Sequence, residues 1–218
     1  MAGIFIVLEG GEGSGKTTIA NYLVKRLSSE GYDVMYTREP GGVKISEEIR
    51  NIILDVNNTD MDTRTEALLY AASRRQHLVE KIIPALEADK IVICDRYIDS
   101  SLAYQGYARR IGMTNIKTLN SFAIRKENTN ELYLPNLSIY LDVDPVLGLE
   151  RIYNRDDTLN RLDKEELSFH QDVRRGYIIA YNLEEYIEMF DASKPLEEVE
   201  KEVYNRVISL VKTKFTSD

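Results

Sequence analysis

Short apolar runs recur along the chain, spaced widely enough to hold a helix between each pair. Residues 3–9, 33–37, 90–94, 137–143 and 187–191 read as strands. Ile4-Phe5-Ile6-Val7-Leu8 and Lys90-Ile91-Val92-Ile93-Cys94 have the nearly continuous apolar, β-branched character of strands buried on both faces. Between the runs the period changes to that of a helix. Ile19, Ala20, Leu23, Val24 and Leu27 fall on one face, and so do Ile45, Ile49, Ile52 and Ile53. Within 65–83, Leu68, Ala71, Ala72, Leu78, Val79 and Ile82 repeat the pattern, which Pro84 interrupts or kinks. A last helix, about residues 195–213, begins near Pro195 and spaces Val199, Val203 and Val207 by four. Strand and helix in alternation predict an α/β fold: a five-stranded parallel sheet with helices on both faces.

Length changes this picture little. The chain has 218 residues, enough for one α/β domain with at most a mobile insertion. Its net charge of −8 excludes a global basic footprint for nucleic acid. The single cysteine, Cys94, cannot form an intrachain disulfide, fits a reducing compartment, and reads as a small buried hydrophobe at the end of a strand. No apolar run approaches membrane-spanning length. Residues 3–8 read as a strand entering the fold rather than a signal peptide, so the expected location is cytoplasmic.

Residues 10–18 bring in the chemistry. Gly10, Gly11, Glu12, Gly13, Ser14, Gly15, Lys16 and Thr17 satisfy G-x-x-x-x-G-K-[ST], and Thr18 follows. Glycines at 10, 13 and 15 free the backbone to turn successive N–H groups inward, where the following helix adds its positive end. Lys16 is then set to reach the β- and γ-phosphates, and Thr17 to ligate Mg²⁺. The flanking strand and helix are the context this loop requires. A glycine-rich turn with a chance lysine would not need them.

Other segments offer a second binding region at the carboxyl ends of the strands, where open parallel sheets place their ligands. Arg38, Glu39, Pro40, Gly41 and Gly42 follow the second strand, and a cis Glu39–Pro40 bond is possible there. Arg38 is placed to meet an anion; the alternative is a plain turn with a surface arginine. Asp95 and Arg96 end the central strand, as a metal and phosphate pair or as a structural ion pair. Ser100, Ser101, Tyr104 and Gln105 supply hydroxyls, a ring and an amide that suit a nucleobase and sugar. Tyr70 and Arg74, four apart on one helix, could stack on and hydrogen-bond a base, or Tyr70 could simply pack in the core. Residues 151–166 are almost all polar, with Arg151, Arg155 and Arg161 among acidic groups. They read as a solvated loop or as a lid closing on a transferring phosphoryl group.

These segments in this order resemble the thymidylate kinases over essentially the whole chain. The resemblance is carried by GGEGSGKTT, REPGG at 38–42, TEALLYAASRRQH at 65–77, DRYIDSSLAYQG at 95–106, LDVDP at 141–145, the arginine-rich stretch at 151–161 and DASKP at 191–195. It implies a P-loop NTPase fold in one domain with a short mobile lid, and transfer of the γ-phosphate of ATP to dTMP with Mg²⁺. Residues 10–18, Arg151 and Ala192 would bind ATP. Arg38, Arg50 and Arg96 would hold the acceptor phosphate, with Glu39 and Pro40 beside them. Tyr70 would stack on thymine where the family usually has Phe, and Arg74, Ser101 and Gln105 would line the base pocket. Tyr104 would occupy the place of a ribose 2′-hydroxyl, and Glu12 would approach the 3′-hydroxyl. Lys16, Asp95, Arg96 and the lid residues Arg155 and Arg161 would act in catalysis, with Thr17 and Asp95 at the metal. The resemblance also implies a homodimer. A nucleoside kinase is the nearest competitor, but it needs fewer arginines at a neutral acceptor. A GTPase switch would carry an N-K-x-D motif that this chain lacks.

Overall fold

The computed structural model describes residues 3–154 and 159–215. The strands are β1 (Ile4–Glu9), β2 (Val34–Arg38), β3 (Ile91–Asp95), β4 (Leu137–Asp142) and β5 (Ile187–Asp191). The helices are α1 (Lys16–Ser29), α2 (Lys44–Leu54), α3 (Thr63–His77), α4 (Ile83–Glu87), α5 (Ile98–Ser101), α6 (Met113–Ala123), α7 (Pro145–Tyr153), α8 (Leu167–Leu183) and α9 (Leu196–Phe215). Two π-helical turns, Leu78–Ile82 and Leu102–Ala108, continue α3 and α5. The strands order as β2-β3-β1-β4-β5, and every pair is parallel.

Alternation along β1 divides the core. Ile4, Ile6 and Leu8 meet Ile19, Leu23 and Leu27 of α1 and Val199, Val203, Val207 and Val211 of α9. Phe5 and Val7 point the other way, to Ala71, Leu78 and Ile82. A third cluster joins Tyr104 and Tyr140 to Val173, Tyr177 and Ala180 of α8. Each fully buried aliphatic side chain adds about 1.5–3 kcal/mol of hydrophobic stabilisation. Gly176 lets α8 approach closely, since a Cβ there would stand 2.7 Å from Ala103 Cα.

Three strands begin one residue later than their pattern predicts, while β2 and β3 run on to include Arg38 and Asp95. That extension matters, because Asp95 pairs in register with both Leu8 and Arg38 at the same sheet end. Two helical faces differ from expectation. On α2, Ile53 is buried, but Ile45 and Ile52 are 48% and 49% exposed. On α3 and its π turn, Ala71, Leu78 and Ile82 face the sheet while Leu68 and Val79 are exposed. The reason is that α2 packs on α3 rather than on the sheet, so its apolar stripe extends beyond what the chain covers. Pro84 does not break its helix. The wider turn at 78–82 precedes it and places Pro84 in the first turn of α4, where a missing N–H costs little. Among the described residues, no helix is long and apolar enough to cross a membrane.

Candidate functional site

The strand order reverses between β1 and β3, so the crevice opens at the carboxyl ends of these two strands. The loop after β1 is shaped by glycines in the left-handed region, with φ of 68° at Gly13 and 89° at Gly15. A Cβ on Gly13 would fall 2.0 Å from Gly148 O, so loop and α7 meet in direct backbone contact. Lys16 opens α1, whose N-terminus has no side-chain cap. Its first-turn N–H groups are therefore available to an anion. The Lys16 ammonium lies 2.8–3.0 Å from the carbonyls of Gly10 and Gly11. Burial, and then the Arg96 cation, push its pKa down to about 8. Thr17 Oγ1 donates to Asp95 Oδ2 over 3.0 Å at the lip of the loop. A hydroxyl beside a carboxylate suits Mg²⁺, which takes few protein ligands and completes its shell with water and phosphate oxygens. The described residues offer one cluster of metal-ligating type, Glu39, His77 and Cys94. It is committed elsewhere, with Glu39 paired to Arg74 and His77 and His77 bonded to Thr37.

Facing the loop is a cleft of about 490 Å³. Its walls include every residue expected at the acceptor: Glu12, Arg38, Glu39, Pro40, Arg50, Tyr70, Arg74, Arg96, Ser101, Tyr104 and Gln105. Arg38 and Arg50 converge on the carbonyl of Pro40, at 3.1 and 2.8 Å, after the cis Glu39–Pro40 bond. Burial, and then Arg38, lower the pKa of Arg50, the mark of cations gathered where an anion would relieve them. Arg96 has φ of 72°, an unusual backbone for a residue with a side chain. Its N–H bonds Leu8 O, and its guanidinium reaches Gly10 O at 2.8 Å and Glu12 Oε1 at 2.9 Å, tying the two regions together.

Glu12 is held from three sides. Besides Arg96, it accepts from the Tyr104 hydroxyl at 2.5 Å, and His170 Nδ1 stands 3.5 Å away. Burial favours its neutral form, but Arg96 first, then His170 and Lys16, outweigh burial and keep it ionised far below the usual carboxylate range. Beneath this layer Glu9 is fully buried and accepts from Tyr97 N, Ser100 N, Ser100 Oγ and Tyr177 OH. Nothing in the sequence singles out Glu9 or Tyr177. Glu9 reads as the end of a strand.

Several expected ligands already have protein partners. Arg74 is 2% exposed and donates to Glu39, Ser101, Asn120 and Tyr97 O, so most of its guanidinium braces the pocket. The Tyr70 ring lines the cleft, and burial keeps its phenol protonated. Arg151 donates to Gly13 O and Ala192 O, joining the phosphate loop to the segment after β5. Gly11 lines a small separate cavity with Val143 and Pro145 rather than the cleft, and Thr18 is exposed on the first turn of α1. Arg161 bonds Glu66 Oε2 at 2.5 Å and Ile53 O at 2.8 Å and is not among the cleft's walls. A buried carboxylate offers it a stronger partner than open solvent does. Arg155 lies outside the described residues. Leu159, Asn160, Leu162 and Asp163 line the cleft from the stretch before α8.

The uncapped start of α1, with Lys16, and Arg38, Arg50 and Arg96 line one cleft. That arrangement suits transfer of a phosphoryl group between two phosphorylated molecules, the chemistry of the P-loop nucleoside monophosphate kinases. Comparison with known proteins narrows the class. The thymidylate kinase family model matches residues 8–203. Thymidylate kinase of Geobacillus sp. (strain WCH70) is 56% identical over 201 residues, covering 91% of this chain and 93% of that protein. Thymidylate kinase of Clostridium novyi (strain NT) is 53% identical over 205 residues, covering 92% and 96%. The crystal structure of thymidylate kinase from Ehrlichia chaffeensis superposes with a TM-score of 0.74 at 31% identity, over 94% of this chain and 98% of that one. The chain belongs to the thymidylate kinase family.

Proposed function

We propose that this chain transfers the γ-phosphate of ATP to the 5′-phosphate of dTMP, giving ADP and dTDP. The observation that carries the reading is the pairing of the loop around Lys16 with Arg38, Arg50 and Arg96 across one cleft. The acceptor phosphate is ionised at neutral pH, so no strong general base is required, and positioning with charge neutralisation supplies most of the catalysis. The loop amides and Lys16 hold the donor phosphates. Arg38, Arg50 and Arg96 draw the acceptor into line and offset its repulsion from ATP. Thr17 and Asp95 would hold Mg²⁺, which would supply charge neutralisation on the donor phosphates. Tyr70 would stack on the base. Tyr104, tethered to Glu12, would crowd a ribose 2′-hydroxyl. Arg151 with Ala192 would flank adenine. The chain acts as one domain, with residues around 151–166 closing over ATP to exclude water, and Arg155 is the remaining lid arginine for the transferring group.

We also propose a homodimer in a reducing cytoplasm. The apolar surface left by α2, α3 and α6 supports the first, with Ile45, Ile52, Leu68 and Phe122 between 48% and 79% exposed. The lone, buried Cys94 supports the second. The test of function is ADP release from ATP and Mg²⁺ with dTMP, dUMP, dCMP, dGMP, UMP and thymidine offered separately. The expected order is dTMP first, dUMP weaker and little from the rest. Turnover of thymidine alone would move the protein to the nucleoside kinases.

A further inference from the structure

Glu66 lies on α3 one turn before Tyr70 and is 1% exposed. Its Oε1 accepts from Gln105 Nε2 at 2.8 Å and from Arg109 Nε at 3.4 Å. Its Oε2 accepts from Arg161 at 2.5 Å and from Arg109 at 3.4 Å. Burial opposes ionisation, but Arg109, Gln105 and Arg161 together outweigh it and lower the pKa. An ionised carboxylate only accepts hydrogen bonds. The Gln105 side chain, 1% exposed, therefore has one favourable orientation. Its NH₂ must face Glu66, because turning the amide over would set oxygen against oxygen in a buried place. The amide carbonyl then points the other way. Gln105 lines the acceptor cleft, and among the described residues nothing donates to its Oε1.

We propose that Glu66 is a positioning residue that sets the base selectivity of the acceptor pocket, by fixing Gln105 with its carbonyl oxygen toward the base. A fixed acceptor takes a donor. The N3–H of a pyrimidine-2,4-dione, as in thymine or uracil, supplies one. Cytosine presents a lone pair at N3 and leaves two acceptors opposed. Sites built this way reject the wrong partner through an unpaired buried polar group, not through size. Arg161, 2.5 Å from Oε2, is enough to hold the carboxylate charged, and Arg109 adds a longer contact at 3.4 Å. The inference rests on the proposal that this cleft binds a nucleobase beside Tyr70.

The test is Glu66→Gln in the full chain, with steady-state kinetics for dTMP and dCMP at saturating ATP. A neutral amide at this position can offer either an oxygen or an NH₂ to Gln105 and so releases its orientation. The expected result is a fall of about tenfold or more in the dTMP-to-dCMP ratio of kcat/KM, arising mainly from a higher KM for dTMP. Arg109→Ala removes the more distant cation but leaves Arg161 bonded to the carboxylate, which holds it ionised, and its ratio should match the wild type. If Glu66→Gln alone fails to fold, the double variant Glu66→Gln/Arg109→Ala removes one charge of each sign and is compared with Arg109→Ala. An unchanged ratio in whichever folded protein carries Glu66→Gln, or an equal fall in Arg109→Ala, overturns the proposal, since either result would make the cluster merely structural. A wild type that does not use dTMP at all would instead refute the underlying reading of the cleft.

Discussion

The phosphate loop and the acceptor cleft are built in opposite ways. The loop is nine consecutive residues, shaped by glycines and by the start of α1, and the groups proposed to hold phosphate are chiefly its backbone amides. The acceptor cleft is made of side chains from β2, α2, α3, β3 and the π turn at 102–108, and several of them, such as Arg74 and Gln105, are held by partners far away in sequence. A site made of backbone has few side chains whose loss can damage it. One made of side chains depends on a supporting layer: Glu39 under Arg74, Glu9 under Ser100, and Glu66 under Gln105. Arg96 belongs to both, because it reaches the Gly10 carbonyl and Glu12 at once.

Removing Lys16 should break the loop side most. Lys16→Ala is expected to lower kcat by about 10²–10³-fold while the KM for dTMP changes little. A kcat within a few-fold of wild type would mean that the amides alone carry the donor phosphates. The acceptor side should fail differently. Arg38→Ala is expected to raise the KM for dTMP by about ten- to a hundredfold with a smaller change in kcat, the cost of one charge-assisted bond. Loss of kcat with an unchanged KM would move Arg38 from binding to transfer. Arg161 marks the boundary between the regions. Bound to Glu66, it should act through pocket structure, so Arg161→Ala is expected to cost less than about tenfold in kcat, whereas an arginine acting on the transferring group is worth about 10³-fold or more. A loss of the latter size in single-turnover kinetics would return Arg161 to the transition state.

The smallest effect concerns stability. Asp99 is buried beside Glu9 and accepts from Ser138 and Tyr186. Burial, and then the Glu9 charge, push its pKa from 3.8 up to about 7. The folded state thus binds this proton more tightly than the unfolded chain. That contribution is complete below the unfolded value and is lost as pH rises through about 7. The thermal midpoint of the wild type should fall more steeply between about pH 5 and 8 than that of Asp99→Asn. Parallel slopes would show that Asp99 is already ionised in the fold.

Much of the cleft was legible in the chain because its residues flank strand ends, and strand ends converge in any parallel sheet of this order. Tyr70 and Arg74 also share a helical face at a spacing of four. The supporting layer was not legible. Glu66 and Gln105 are 39 positions apart, Glu9 and Tyr177 are 168 apart, and Glu12 and Tyr104 are 92 apart. No local pattern links the two members of such a pair, and a polar residue on a helix is most economically read as solvated. Arg161 illustrates the same limit. A run of arginines in a polar stretch does not reveal that one of them will meet a buried carboxylate.

Order along the chain was enough to specify the parallel α/β sheet, the phosphate loop with its lysine, and which segments stand at the rim of the cleft. Period, glycine placement and strand ends act through neighbouring residues, so they can be read one after another. Folding in three dimensions settled which charges stay free for ligands and which are neutralised by distant partners. It also settled which apolar stripes the chain covers and which, as on α2, remain at the surface. Those outcomes depend on distances and burial between elements, which the spacing of residues along the chain does not encode.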